Sequence, residues 1–297
     1  MKQIHYDNIT DYCTALGKPA PLHPLFNISK VNSSAVNCLG SHCSVTTDFY
    51  AIALKNVVSG KLLYGKTEFD FQNGTMIFFA PNQVFATNGI KVESEGKVIM
   101  FHRDFVRGHE IENLLNKASF FGYAVSEALH LSTKEEALVD SILESIELEC
   151  HSNYDEFSRE IILSHITTLL KYADRFYRRQ FLLRQESTGS LYDKFIVALD
   201  QLLAQSNREE LPKIQDVADV MNMTSRYLTD GLRAETGKSA KEWILLHLID
   251  QAKSRLLESE ESVATISYSL GFEYPQYFAR LFKKKVGVTP TEYRKFH

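Results

Sequence analysis

The chain has 297 residues, of which 44% are hydrophobic, 11% aromatic and 24% charged. This balance is typical of globular proteins and excludes the disordered, collagen-like and coiled-coil classes. The net charge of −4 identifies no partner, because residues 275–297 contain six lysines and arginines and only one acidic residue.

The length and the apolar pattern bound the protein class. At roughly 100–200 residues per domain, the length predicts two domains. No apolar run reaches the ~18–20 residues that span a bilayer, and the first residues lack the apolar core of a signal peptide. We therefore expect a cytoplasmic protein without membrane contact. The four cysteines are too few for a disulfide scaffold. Cys38, His42 and Cys43 offer three soft ligands without a fourth, so buried thiols are predicted rather than a metal site.

Residues 22–106 have the pattern of β-strands. Short runs rich in Phe, Tyr, Ile and Val are separated by turn signals such as Pro81-Asn82. No helical stretch lies between them, so the spacing predicts an antiparallel barrel or sandwich. The predicted strands lie within 25–31, 49–58, 61–65, 67–72, 75–80 and 97–105.

The period of the apolar residues changes after the strands. Residues 133–149 and 155–183 carry apolar side chains at helical spacing, and their wide apolar faces suit packing on the barrel or on a second subunit. The polar, glycine-containing residues 185–190 are the predicted linker. Beyond it, seven helices are predicted at 191–205, 213–222, 225–235, 240–258, 263–270, 275–285 and 290–296. The expected fold class is α+β with two domains, a barrel with trailing helices in 1–184 and an all-helical domain in 191–297.

The helical domain contains an internal repeat. Residues 214–223 match residues 263–272 in pattern, 49 positions later, and Tyr227 matches Tyr277, 50 positions later. Each copy has a short helix, a tight turn and a longer helix, which is the helix-turn-helix unit. The two units are predicted at 213–235 and 263–285.

The longer helix of each unit has an apolar face and a polar face. Apolar residues four positions apart are predicted to hold it on the core, and a small residue is predicted where the short helix approaches it. These residues are Leu228, Leu232 and Ala218 in the first unit, and Phe278, Phe282 and Ser267 in the second.

The opposite, polar face has the chemistry of a major-groove surface. Arginine binds guanine bidentately, glutamine pairs with adenine, and lysine neutralises phosphate. The predicted DNA-contacting residues are Arg226, Thr229, Asp230 and Arg233 in the first unit, and Gln276, Tyr277, Arg280 and Lys284 in the second. The predicted helix 240–258 between the units spans roughly 28 Å, close to the ~34 Å between successive major-groove faces of a duplex.

Two segments of the helical domain carry a family resemblance. SVATISYSLGFEYPQYFARLFKKKVGVTPTEYRK is similar to the second helix-turn-helix and signature region of AraC/XylS-type transcriptional regulators, and LPKIQDVADVMNMTSRYLTDGLRAETGKSAKEWI is similar to the first. The resemblance covers residues 208–296. In the N-terminal half, YGKTEFDFQNGTMIFFAPNQ and FHRDF resemble the cupin-like barrel that precedes such domains.

The resemblance implies a bacterial transcription regulator that binds double-stranded operator DNA, and that contacts RNA polymerase if it is an activator. In this family the barrel domain senses a small molecule or supplies dimer contacts, so an effector and a homodimer are expected. By carry-over, base-facing positions are occupied by Arg226, Thr229, Asp230, Gln276, Tyr277 and Arg280.

Two residues of the first unit depart from the family pattern. Asp230 stands where a basic or neutral residue is common, and a carboxylate repels phosphate. Gly231 weakens its helix by roughly 0.5–1 kcal/mol relative to alanine. The first unit is therefore expected to bind DNA less firmly than the second.

The barrel also suggests an enzymatic alternative. Metal-dependent cupins need a histidine cluster inside the barrel, but residues 64–80 contain no histidine and Ala86 stands where the later ligand belongs. We therefore expect no metal, no cofactor and no enzymatic activity. Tyr50, Tyr64 and His102 are candidates for an effector pocket. Two alternatives stay open, an N-terminal domain that only oligomerises and, more remotely, a metal-free cupin enzyme.

Overall fold

The computed structural model describes residues 2–32, 43–59, 62–64, 67–69, 74–87, 93–124, 127–152, 154–188, 190–204 and 210–296. Cys38 and His42, the ends of the predicted strands 61–65 and 67–72, and linker residue 189 lie outside these ranges. The chain divides into two compact units, the N-terminal unit (Met1–Gln180) and the C-terminal unit (Phe181–His297). None of the described helices is both long and apolar enough to cross a membrane.

In the described residues, the strands of the N-terminal unit form three sheets. One sheet has five strands in the order β10-β7-β4-β9-β2, a second has the order β1-β3-β8, and β5 pairs with β6. The strands are β1 (Lys2–Tyr6), β2 (Phe26–Asn32), β3 (Cys43–Thr47), β4 (Phe49–Ser59), β5 (Leu62–Tyr64), β6 (Thr67–Phe69), β7 (Thr75–Phe79), β8 (Phe85–Thr87), β9 (Glu93–His102) and β10 (Leu129–His130).

The described strands do not form a closed barrel, so the predicted cupin-like barrel is not confirmed by this topology. A barrel requires the edge strands of a sheet to be joined. In the described part of the chain, β10 and β2 are the edges of the five-stranded sheet, and neither pairs with a strand of another sheet. In its described residues, the N-terminal unit therefore consists of sheets with free edges and of helices.

Helices of the N-terminal unit pack on both faces of the five-stranded sheet. On one face, Phe49 of β4 and Met100 of β9 pack with Ile9 and Cys13 of the first helix. On the other face, Phe78 of β7 lies 4.6 Å, between ring centroids, from Phe120 in a short 3-10 helix. The α-helices are α1 (Ile9–Ala15), α2 (Arg103–Val106), α3 (Ile111–Lys117), α4 (Thr133–His151) and α5 (Ser158–Thr188), and the residues of α5 from Phe181 onward belong to the C-terminal unit. Because α5 continues through Thr188, residues 185–188 of the predicted linker are helical.

The C-terminal unit is entirely helical in the residues described, as predicted. Its seven helices surround one core that includes Phe195, Leu248, Phe278 and Phe282. They are α6 (Leu191–Ala204), α7 (Ile214–Val220), α8 (Ser225–Thr236), α9 (Ala240–Glu258), α10 (Val263–Ser269), α11 (Pro275–Val286) and α12 (Pro290–Phe296). The caps fix these boundaries: Ser239 and Glu242 form a capping box at the start of α9.

Candidate nucleic-acid interface

The internal repeat is present in the backbone as two equivalent turns. In the first unit, the amide of Met223 donates to the carbonyl of Ala218 at 2.9 Å, and in the second the amide of Phe272 donates to the carbonyl of Ser267 at 3.1 Å. These four residues are related by the offset of 49 that the sequence shows. Helices α7 and α8, and likewise α10 and α11, therefore form two helix-turn-helix units of the same construction.

Both turns pass through the left-handed region of backbone conformation. Asn222 has φ 54°, and Gly271, its equivalent in the second unit, has φ 85°. Asparagine and glycine tolerate this region better than other residues. At Gly271 a second constraint applies, because a Cβ atom there would lie 2.6 Å from the carbonyl oxygen of Glu210. The second turn therefore requires glycine, whereas the first accepts a side chain.

The apolar faces of α8 and α11 are buried, as predicted. The side chains four positions apart and the small residues of the short helices have no solvent exposure. These are Leu228, Leu232, Ala218, Phe278, Phe282 and Ser267. Removing each pair from water fixes which face of its helix is left outside.

The outer face of α11 carries the predicted contact residues of the second unit. Gln276, Tyr277, Arg280 and Lys284 are all exposed. The helix contains four basic residues and no acidic one. Within the described residues, neither Arg280 nor Lys284 forms an ion pair, so both charged groups are available to a ligand. A positive helix face with free guanidinium and ammonium groups suits a polyanion.

The outer face of α8 has a different character. Arg226 and Arg233 are exposed, whereas Thr229 and Asp230 are half-buried. The helix contains two basic and two acidic residues, so its net charge is zero. The structure therefore brings all four predicted residues onto one helix, but not onto a positively charged surface.

Packing around Gly231 reduces the exposed surface of α8. A Cβ atom on Gly231 would lie 2.6 Å from Cδ2 of Leu191 at the start of α6. Tyr227 is also covered, since its ring centroid lies 4.8 Å from that of Phe181. Gly231 thus permits close packing, a role that the sequence interpretation of a weakened helix missed. Tyr227 is 2% exposed and its equivalent Tyr277 is 43% exposed.

The start of α11 presents an aromatic residue that the sequence analysis did not select. In the first unit, Thr224 caps α8 by accepting the amide of Tyr227 at 3.2 Å. Its equivalent, Tyr274, makes no side-chain cap, and Pro275 follows at the first helical position. The Tyr274 side chain is 62% exposed. The signal was available in the sequence, since the extra residue of the second copy lies in this turn.

Two carboxylates at helix starts mark the ends of the repeat. Hydrogen bonds from Ser239 hold the pKa of Glu242 below its usual range, and hydrogen bonds from Thr289 do the same for Glu292. Ser239 and Thr289 are 50 positions apart. The repeat therefore extends past each recognition helix into the helix that follows it.

Two of the proposed effector residues of the N-terminal unit, Tyr50 and His102, lie on neighbouring strands. Tyr50 of β4 pairs with Phe101 of β9, and His102 pairs with Phe49. Successive residues of a strand point to opposite faces, so Tyr50 and His102 lie on opposite faces of the sheet. Tyr50 is stacked on Phe101 at 5.2 Å, and Nδ1 of His102 accepts the amide of Asp104 at the start of α2. The side chains of Tyr64 and Cys43 lie outside the described residues.

Comparison with known proteins identifies the helical unit. Residues 217–295 match the family model described as a helix-turn-helix domain. The chain is 29% identical over 140 residues to an uncharacterized HTH-type transcriptional regulator, YfiF, of Bacillus subtilis strain 168, over 47% of this chain and 42% of that protein. It is 34% identical over 92 residues to the arabinose operon regulatory protein of Escherichia coli K12, over 31% of this chain and 30% of that protein.

A solved structure is also similar to part of the chain. It is the DNA-binding domain of the global transcriptional factor AdpA in complex with a target DNA, with 25% identity and a TM-score of 0.31, over 35% of this chain and 89% of that chain. The chain spans less than half the length of the two curated relatives described above. Its C-terminal region contains a helix-turn-helix domain similar to those of the curated relatives, which are named as regulatory proteins.

Proposed function

We propose that the protein is a sequence-specific transcription regulator whose two helix-turn-helix units bind double-stranded DNA. The observation that carries this proposal is helix α11, with its apolar face buried and its outer face exposed and positive. In a helix-turn-helix protein, the second helix of the unit enters the major groove. The outer face of α11 has the donors that such a helix needs.

Different side chains of α11 are assigned different contacts. Arg280 lies one turn after Gln276 on the exposed face, and an arginine and a glutamine recognise guanine and adenine through paired hydrogen bonds. Lys284 lies one turn further on, where a point charge suits a phosphate oxygen. The second unit therefore supplies both base recognition and phosphate binding.

The rings at the start of α11 add an apolar contact to this set. Tyr274 and Tyr277 are both exposed, and the N-terminal residues of a recognition helix lie against base edges. An apolar side chain there contacts the methyl group of thymine. We assign Tyr274 to such a contact.

The first helix-turn-helix unit is assigned a weaker role in DNA binding. Helix α8 has no net charge, and its half-buried Asp230 is repelled by phosphate. Arg226 and Arg233 remain exposed for contacts in a second stretch of groove. Helix α9 between the units has 19 residues, a length of roughly 28 Å at 1.5 Å per residue. That length suits units placed on successive major-groove segments of one duplex.

The N-terminal unit is proposed to form dimers. Two apolar side chains close to each other in sequence, Leu148 at the end of α4 and Phe157 before α5, are 74% and 63% exposed. Exposed apolar side chains favour a protein interface. The cavity beside Phe78, Phe120 and Tyr177 holds about 10 Å³, room for one water and not for an effector. Effector control therefore stays a prediction, which a thermal shift on addition of a metabolite would support.

A selection of binding sites from random duplex DNA tests the proposed function. The full-length chain is expected to enrich a motif with two elements about one helical turn apart. Arg280→Ala is expected to lose one base preference in the stronger element. The control Arg178→Ala removes the same charge from an exposed site of the N-terminal unit. It is expected to enrich the same motif as the wild type. No enriched motif with the wild-type chain would contradict sequence-specific binding.

A further inference from the structure

The N-terminal unit contains a group of ligating side chains where two parallel strands end together. Strands β1 and β3 are parallel, with His5 opposite Thr46 and Tyr6 opposite Thr47. The amide of Asp48 donates to the carbonyl of Tyr6 at 3.1 Å, which ties the two strand ends together. Because parallel strands present their carboxyl ends at one edge, Asp7 and Asp48 lie side by side there.

Two of the three distances within this group, those from His5 to each aspartate, match the spacing of neighbouring ligands of a metal ion. Nε2 of His5 lies 3.0 Å from Oδ1 of Asp7 and 3.3 Å from Oδ1 of Asp48. The three ligand atoms lie within 4.8 Å of one another. At bond lengths of about 2.0–2.2 Å, adjacent ligands of a tetrahedral or octahedral ion are about 3.0–3.5 Å apart. One ion therefore fits between them with small adjustments of the aspartate side chains.

A second contact fixes the imidazole ring. Nδ1 of His5 lies 2.8 Å from Oγ1 of Thr46, a residue that is only 8% exposed. When Nδ1 donates a hydrogen bond to this hydroxyl, Nε2 carries the lone pair and faces the carboxylates. Metal-binding histidines are oriented in this way by a partner on the other ring nitrogen.

The charge of the group also favours a cation. Two carboxylates share one imidazole, and among the described residues no lysine or arginine forms an ion pair with Asp7 or Asp48. With neutral His5 the group carries two negative charges. A divalent ion balances this charge, whereas a protonated imidazole balances half of it.

We propose that His5, Asp7 and Asp48 bind one divalent first-row transition-metal ion, with water completing the coordination. One nitrogen and two carboxylate oxygens suit ions such as Zn²⁺. The bound ion joins the end of β1 to the end of β3, and so fastens the N-terminal strand to its sheet. The site is remote in sequence from the DNA-binding helices, and it does not depend on their function.

Calorimetric titration of the full-length chain with Zn²⁺ under reducing conditions tests this site. Because cysteine thiolates in general also bind zinc, the readout is the number of equivalents bound by variants that keep every cysteine. His5→Gln and Asp48→Asn are each expected to bind one equivalent fewer than the wild type. Asp174→Asn, which removes an exposed aspartate of the same unit, is expected to bind as the wild type does.

Hydrogen exchange supplies the second readout. Zinc is expected to slow amide exchange in β1 of the wild type and of Asp174→Asn, but not of Asp48→Asn. Equal zinc stoichiometry in all four proteins would overturn the proposal, because the group would then be a histidine paired with two aspartates.

Discussion

The two helix-turn-helix units of this chain have the same inner construction and different outer faces. Their turns make equivalent hydrogen bonds, and their recognition helices bury equivalent apolar pairs. On the outside, Asp230 of the first unit stands where the second has Arg280. Packing constrains the inner positions because any change of volume there is costly, whereas the outer positions are free to follow the ligand.

The surroundings of the units account for a second difference. In the first unit Phe181 and Leu191 cover the recognition helix at Tyr227 and Gly231. In the second unit the equivalent Tyr277 is exposed. A helix that is partly used for packing within its own domain has less surface for DNA. From this comparison we propose that the second helix-turn-helix unit is the principal DNA-binding element.

Gly271→Ala is expected to have the largest effect on stability. The substitution places a side chain at positive φ and against the carbonyl of Glu210, so a loss of about 1–3 kcal/mol is expected from backbone strain alone. Asn222→Ala, at the equivalent turn, is expected to lose less, because a Cβ atom is already accommodated there. Fluorescence of Trp243, the single tryptophan, reports denaturant unfolding of the C-terminal unit. Equal losses would show that the two turns are equally constrained.

Lys284→Ala is expected to weaken binding to all DNA sequences alike. Loss of one phosphate contact lowers the slope of log K against log salt by about one. The equivalent residue of the first unit is Ala234, which has no charge to lose. Anisotropy titrations at several salt concentrations measure the slope, with Arg178→Ala as the charge-matched control. An unchanged slope would remove Lys284 from the backbone contacts.

Tyr274→Thr transfers the cap of the first unit to the second. Threonine at this position is expected to stabilise α11 by about 0.5–1 kcal/mol, and to abolish the contact with a thymine methyl group. The thymines of the selected site are replaced by deoxyuridine one at a time. Binding of the wild type is expected to weaken at one of these positions, and binding of Tyr274→Thr at none. Tyr268→Thr, at another exposed tyrosine, is the control. Equal sensitivity to deoxyuridine in all three proteins would exclude the methyl contact.

Ser267→Ala is expected to have the smallest effect. The hydroxyl of Ser267 is buried and has no hydrogen-bond partner in the described structure, and the equivalent residue is Ala218. The substitution is therefore expected to be neutral or to stabilise by up to about 1 kcal/mol. Ala218→Ser, the reverse change, is expected to destabilise by about 1–3 kcal/mol. Trp243 fluorescence measures both, and a loss in Ser267→Ala would show that the hydroxyl is used.

The sequence predicted the helical unit far better than the sheet unit, for physical reasons. Local signals such as the Ser239–Glu242 capping box place helix ends within one or two residues, and the repeat supplies a second copy of each signal. Strand β1 was missed because its pairing with β3 joins residues about forty positions apart. The barrel is not confirmed in the described residues, since closure depends on which edge strands meet, and strand patterns do not contain that information.

Within the site, composition and spacing were enough to select the exposed residues of α11. They were not enough at Gly231, whose contact with Leu191 depends on how α6 packs. The burial of Tyr227 depends on Phe181 in the same way. Whether a helical residue faces a neighbouring helix or solvent is settled by tertiary packing, so the asymmetry of the two units was only partly predictable.

The most direct test of this asymmetry is the affinity of the full-length chain for its selected duplex, measured for Arg280→Ala and Asp230→Ala. These two residues are equivalent in the repeat. We predict that Arg280→Ala loses about 1–3 kcal/mol of binding free energy, and that Asp230→Ala loses none or binds more tightly. A larger loss from Asp230→Ala than from Arg280→Ala would contradict the principal role of the second unit.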